Sequence, residues 1–396
     1  MFACLATFCS FASFYLLLPT LPVYILAIGG SESEVGLLIG VFSATAVLLR
    51  LLIGRASDTF GRRGFILGGF AVLTASSALY MLAQSVPSLL LVRMVHGAGW
   101  AACGTAINAL VADIVPASRR GEALGYFGMF SSAAMGIGPA VGVALMKRQG
   151  FDELFVVAAL IALMALLLGL GLRESARRRG AVGEPALMPV LVRSAAGARQ
   201  RGALGGLIEV SALFPSGVLA LATAGYGAIV AFISIFATRR GLDNPGWFFS
   251  VYALTLVLSR GFLGRLSDRH GRAAVIVPGL LLTALCLALL PVAHGVAAFL
   301  ALAAVYGLGF AAMQPALMAL VVDRSSPGRR GPAMGMFATA MDLGIGAGSL
   351  VFGLVAAWGG YELMYRAAAG LTLVTVAWFV AGSRAKSPAN GARHPP

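Results

Sequence analysis

The chain has 396 residues, 59% apolar and only 11% charged, with a mean hydropathy of +0.90. A soluble domain carries roughly 25% charged residues, so this composition excludes a large water-facing catalytic domain and points to lipid as the solvent. The net charge of +14 comes from 29 basic and 15 acidic residues, placed in short clusters between apolar runs, a pattern that fixes membrane topology and does not suit nucleic-acid binding.

Apolar stretches fall at 2–28, 35–54, 65–84, 88–112, 122–146 and 151–172, and again at 212–238, 246–264, 273–293, 296–322, 331–357 and 361–382. Each is long enough to cross about 30 Å of hydrocarbon as a helix. The spacing therefore predicts an all-α membrane protein of twelve spans. The first run begins almost at Met1 with no basic leader and no small-residue cleavage site, so it reads as a retained span; a start upstream of Met1 stays open. Cys4, Cys9, Cys103 and Cys286 all lie inside apolar runs and read as small hydrophobes.

With both termini in the cytoplasm, 21 of the 29 basic residues fall in inner loops and tails and five in outer loops, leaving Arg50, Arg93 and Arg260 within spans. This imbalance orients the chain with both ends inside. The expected division is an N-terminal bundle at 1–172, a cytoplasmic linker at 173–211, a C-terminal bundle at 212–382 and a cytoplasmic tail at 383–396.

The two halves match at a constant offset of 210: Gly36 with Gly246, Arg50 with Arg260, Gly61 with Gly271, Gly97 with Gly307, Asp113 with Asp323, and Arg119-Arg120-Gly121 with Arg329-Arg330-Gly331. So many gapless coincidences mark an internal duplication. Two six-helix repeats of this kind resemble the major facilitator superfamily, whose halves rock about a central site.

Three segments sharpen the resemblance. Gly54, Asp58, Gly61 and Arg62 stand between spans 2 and 3, and Gly264, Asp268, Gly271 and Arg272 between spans 8 and 9. Both sets resemble the superfamily's signature loop. The resemblance implies that Asp58 and Arg62, with Asp113, latch the cytoplasmic side when the transporter opens outward, and that Asp268, Arg272 and Asp323 do the same in the second half. A plain topology signal is the alternative. In span 4, Arg93 and His96 precede Gly97 and Gly99, as in the drug-efflux branch. An intramembrane Arg needs a partner or a cavity, and its repeat position is Ala303, so the duplicated scaffold does not impose it. In span 5, Gly138, Pro139 and Gly142 resemble the Gly-Pro motif of drug:proton antiporters, where small residues allow close helix contact and proline bends the span.

Asp342 is the sharpest single residue, the one acid expected deep inside a span. A mid-membrane carboxylate marks an ion or proton pathway; structural pairing with Arg93 and binding of a cationic cargo are the alternatives. Drug antiporters often carry an acid in span 1, and this span 1 has none, which puts the substrate class or the coupling position in doubt. Arg50 and Arg260, one turn before the signature loops, read as a symmetric structural pair. By resemblance, spans 1, 4, 7 and 10 line the central cavity, making Tyr15, Trp100, Tyr226, Tyr306 and Gln314 candidate cargo contacts.

The sequence has no nucleotide-binding Gly-Lys-Ser/Thr loop, no metal-ligand spacing and no recognisable catalytic triad. The reading is therefore a transporter, not an enzyme, with no cofactor. Its partners are protons, a small-molecule substrate and the bilayer, and the resemblance implies a monomer. The function expected is proton-coupled efflux of amphiphilic molecules or drugs across a bacterial inner membrane. Protonation of Asp342 from outside would favour return to the inward-facing state. The run Phe14–Pro22 looks more like metabolite-efflux relatives, which keeps export of a sugar, metallophore or natural product as the alternative, with uniport or import further off.

Overall fold

The computed structural model describes residues 1–114, 120–172, 209–326 and 329–384. Most of the expected linker and nearly all of the expected tail lie outside these residues. Every regular element described is helical.

Span 1 runs over Phe2–Ala27, span 2 over Glu32–Phe60, span 3 over Arg62–Leu82, span 4 over Val86–Ile114, span 5 over Arg120–Gln149 and span 6 over Phe151–Leu170. Span 7 covers Val210–Arg239, span 8 Gly246–His270, span 9 Ala273–Val292 and span 10 Gly295–Arg324. Spans 11 and 12 form one helical stretch, Arg330–Arg384, interrupted at Gly360 with φ 77° and ψ 174°. That break sits 210 positions after Gly150, which turns between spans 5 and 6 with φ 98°. Gly61 (φ 94°) and Gly271 (φ 87°) make matching left-handed turns in the signature loops, a conformation only glycine adopts without strain. The face of the bundle that carries Gly61 and Gly271 is the basic face; Gly150 and Gly360 mark the opposite face. Span 2 starts at the opposite face with a capping box, in which the Ser31 backbone N–H and hydroxyl both donate to Glu34, at 2.7 and 2.8 Å.

Within each half the repeat is visible in the packing. Gly97 on span 4 lies where a Cβ would meet the Phe42 carbonyl of span 2, and Gly307 on span 10 meets the Tyr252 carbonyl of span 8 in the same way. Gly69 and Gly99 let spans 3 and 4 touch backbone to backbone, as Gly279 and Gly309 do for spans 9 and 10. Small residues carry helix contact here because lipid offers no hydrophobic drive between helices.

The halves meet along two seams, span 2 against span 11 and span 5 against span 8. Gly36 packs on the Ser349 carbonyl, and its repeat partner Gly246 packs on the Pro139 carbonyl. Ser250 donates to the Gly136 carbonyl across the second seam, and the Asn244 amide donates to the Ala140 carbonyl at 2.9 Å. These contacts gather toward the opposite face. Closer to the basic face, a Cβ at Gly128, Gly261, Gly264 or Gly335 would meet nothing within 4 Å among the described residues. The described halves are thus closed at the opposite face and splayed at the basic one.

Gly246→Ala should force the Pro139 carbonyl and Ala140 apart, at an overpacking cost of about 1–3 kcal/mol, and lower the thermal unfolding midpoint of the purified protein. Gly261→Ala, made where space is open, should leave the midpoint unchanged or raise it.

Candidate functional site

The one ion pair described between the membrane-embedded parts of the two halves joins Arg50 of span 2 to Asp342 of span 11, with Nη1 and Oδ2 2.7 Å apart. Their side chains are about a quarter and a fifth exposed. A heptad toward the opposite face from Arg50 stands Ser43, packed against Gly346. The pair therefore sits at the basic-side end of the closed seam. The carboxylate's partner is Arg50 and not Arg93, and Arg50 is not a symmetric twin of Arg260, which makes no ion pair or hydrogen bond among the described residues. The sequence alone could not place spans 2 and 11 together.

Arg93 lies in the N-terminal half, 1% exposed. Its guanidinium stands 4.3 Å from the Phe42 ring centre and 5.7 Å from that of Phe14, and its Nη1 donates to the Tyr80 hydroxyl at 3.5 Å. Because Arg can only donate, the Tyr80 hydroxyl is free to donate onward to Nδ1 of His96, 3.0 Å away. Trp100 stacks on Phe14 at 4.4 Å. Arg93, His96 and Trp100 are thus brought into one aromatic box, with the cation held by ring faces and a phenol in place of a carboxylate.

The C-terminal half carries the same box without the cation. The repeat partners of Phe42, His96 and Trp100 are Tyr252, Tyr306 and Phe310. Tyr226 stacks on Tyr252 at 5.7 Å and on Tyr306 at 6.1 Å, and lies 5.4 Å from Phe310. The buried Tyr306 hydroxyl has no hydrogen-bond partner among the described residues. Tyr15 of span 1 neighbours Tyr226 and packs on Gly138. Gln314 is half-buried and makes no hydrogen bond among the described residues. Tyr252 was missed by the sequence reading, although applying the offset of 210 to Phe42 finds it.

The glycines and proline of the span 5 motif make close helix contacts. Gly142 packs on Leu16 of span 1, Gly138 on Tyr15, and the Pro139 carbonyl on Gly246. At the basic face the second-half loop is fully assembled. Arg272 donates to Asp268 at 2.5 Å, to Asp323 at 3.0 Å and to the Ser267 hydroxyl at 3.2 Å. The Asp268 and Asp323 carboxylates push the Arg272 guanidinium further above its ordinary range. In the first half Arg62 is buried, while the side chains of Asp58 and Asp113 lie outside the described residues. Gly54 and Gly264 stand one turn earlier on spans 2 and 8. Also unforeseen is Arg329, which donates to Glu209 and so ties span 11 to the start of span 7.

The opposite face carries a polar contact between halves that the sequence reading did not find. Glu32 of span 2 accepts from the Tyr361 hydroxyl at 3.1 Å and from Arg239 at 3.5 Å, and Arg239 lies over the Tyr361 ring at 4.9 Å.

Two pseudo-symmetric helical bundles, sealed at one face and meeting at a charged seam within the membrane, have the architecture of membrane transporters built from two six-helix repeats. The family is shown by sequence: residues 3–246 and 217–395 match the Major Facilitator Superfamily, and the chain belongs to that superfamily. It is 29% identical over 385 residues to the MFS-type transporter YhhS of Escherichia coli strain K12, covering 93% of this chain and 88% of that one. It is 30% identical over 155 residues to the inner membrane transport protein YajR of the same strain, covering 39% of this chain and 34% of YajR. A solved POT family transporter in complex with 5-aminolevulinic acid superposes with a TM-score of 0.79 at 14% identity, covering 97% of this chain and 96% of that one, a likeness of fold. As a superfamily member the chain is a multi-pass membrane transporter of small molecules and not an enzyme.

Glu32→Gln weakens an exposed ion pair and a charge-assisted hydrogen bond, together about 1 kcal/mol. With the four native cysteines replaced and Ser43→Cys as reporter, maleimide labelling of that buried seam position should rise about fivefold.

Proposed function

We propose that this transporter is a proton-coupled efflux antiporter of small amphiphilic molecules, acting as a monomer in a bacterial inner membrane with both termini and the basic face in the cytoplasm. The observation that carries the reading is the Arg50–Asp342 pair, a titratable contact joining the two halves at the end of the closed seam. The 21 basic residues assigned to inner loops and tails support the orientation.

In the conformation described, the cargo space faces the basic side and Asp342 is ion-paired, which is the proton-released state. Cargo entering between the aromatic boxes favours rocking toward the opposite face. Parting the Gly36–Ser349 and Ser43–Gly346 contacts then admits water from outside to Asp342. A proton taken up there neutralises the carboxyl, which crosses back without the desolvation cost of an unpaired charge. Re-forming the pair with Arg50 expels the proton inside. The contacts of Arg272 with Asp268 and Asp323 act as one basic-face latch, with Asp58, Arg62 and Asp113 as its first-half counterpart. The Tyr80 bridge between Arg93 and His96 is a second place where a proton is held, and the division into bundles at 1–172 and 212–382 follows the two rocking bodies. Gly138, Pro139 and Gly142 keep spans 1, 5 and 8 in contact during the exchange.

Everted vesicles energised with a proton gradient test this. A panel of amphiphilic compounds should trigger proton efflux with the native protein and none with Asp342→Asn at matched expression. An unchanged signal in the variant would remove Asp342 from the coupling path.

A further inference from the structure

Two arginines occupy matching places on the two seams, but only one has a counterion. On span 2 the residues that face span 11 are Gly36 against Ser349, Gly40 against Leu350 and Ser43 against Gly346. Arg50 follows one heptad after Ser43 and meets Asp342. On span 8 the residues that face span 5 are Gly246 against Pro139, Ser250 against Gly136 and Ala253, whose methyl lies 3.5 Å from a Cβ built at Gly136. Arg260 follows one heptad after Ala253, so it continues the same face of the helix. The span 5 residue that matches Asp342 at the offset of 210 is Ser132. The second seam thus has the cation and a hydroxyl where the first has a cation and a carboxylate.

Arg260 is exposed and makes no hydrogen bond or ion pair among the described residues. Its Cα lies four residues before Gly264, where the apolar run ends, about 6 Å inside the span. A guanidinium at that depth is costly unless something neutralises it. The other embedded cations are provided for: Arg50 by Asp342, and Arg93 by Tyr80 and two aromatic faces. Exposed apolar side chains accompany it on the two spans, Leu258 and Phe262 on span 8 and Met129 on span 5. An oxyanion fits the guanidinium, which can offer it a forked pair of N–H···O bonds, and an apolar body suits the apolar spans on either side.

We propose that Arg260 is the anion-recognition residue of the cleft and that the cargo is a small organic oxyanion, such as a carboxylate, on an apolar body. The inference rests on the transporter reading for placing Arg260 in a cargo path. The missing carboxylate at position 132 is then a condition of function, since an acid there would occupy Arg260 as Asp342 occupies Arg50. The same oxyanion chemistry is available from the headgroup of an anionic phospholipid, and the test separates the two.

Binding of naphthoate, naphthamide and naphthamidinium to the full chain is measured in phosphatidylcholine nanodiscs, without a pH gradient, so a failure of proton coupling leaves this test intact. Naphthoate should bind and the amide and amidinium should bind at least about tenfold more weakly, the worth of one charged hydrogen-bonded contact. Arg260→Gln should weaken naphthoate at least about tenfold, Arg260→Lys should keep the charge but lose the fork and fall between the native protein and Arg260→Gln, and Ser132→Asp should weaken naphthoate as Arg260→Gln does while the variant remains folded by its unfolding midpoint. Equal binding of the three probes, preference for the amidinium, absence of naphthoate binding at millimolar concentration, or naphthoate binding unaffected by Arg260→Gln would each overturn the proposal. If phosphatidylglycerol in the nanodisc displaces naphthoate and its own retention depends on Arg260, the oxyanion is a lipid headgroup and the cargo assignment falls.

Discussion

A charge inside a bilayer has to be neutralised, and in this protein the main neutralising contact is shared between the two halves. Arg50 belongs to one repeat and Asp342 to the other. Removing one partner of a buried ion pair costs about 3–5 kcal/mol, and somewhat less for a pair that is partly exposed, as this one is. That is the scale on which the two conformations of such a transporter compete. In the proposed cycle, a contact of this size, placed where the halves part, would convert the protonation state of one carboxyl into a preference for one conformation.

The rest of the architecture serves that seam. Glycines and serines bring the backbones of spans 2 and 11 and of spans 5 and 8 together at the opposite face. Pro139 takes the place that Ser349 holds in the other repeat, so the two seams share a close approach while differing in hydrogen bonding: the Ser349 hydroxyl donates to Gly227 and Ile345, which proline cannot do. The aromatic boxes show the same divergence from a common plan. One retains a cation held by rings, and the other is built from phenols.

The fold was legible because hydrocarbon thickness and a gapless repeat are one-dimensional signals. Gly61 and Gly271 mark the signature loops in the sequence alone, whereas the matching turns at Gly150 and Gly360 emerge from the backbone. Asp342 stood out in the sequence because no other acid was expected so far from a helix end. Its partner was not, since the pairing of spans 2 and 11 belongs to the docking of the halves, which no periodicity encodes. The symmetric reading of Arg50 and Arg260 failed for the same reason. The repeat that suggested their equivalence also contained the correction, in the mismatch of Asp342 with Ser132. Glu32, Arg239 and Tyr361 come from three different spans and carried no sequence motif. Arg93 was correctly singled out as costly, but its neutralisation by Phe42, Phe14 and Tyr80 is a packing result that composition cannot show.

The most direct measurement is the distance between the halves at the basic face, by pulsed electron resonance with spin labels at Tyr126 on span 5 and Phe262 on span 8, both exposed. Because the pair is intact in the splayed conformation, acidification or Asp342→Asn should move the distribution toward the shorter separation, the reverse of the inward-facing preference expected from the sequence, and the variant should respond to pH far less than the native protein. A distribution in Asp342→Asn that follows pH as the native one does would show that the two halves are not coupled through this contact.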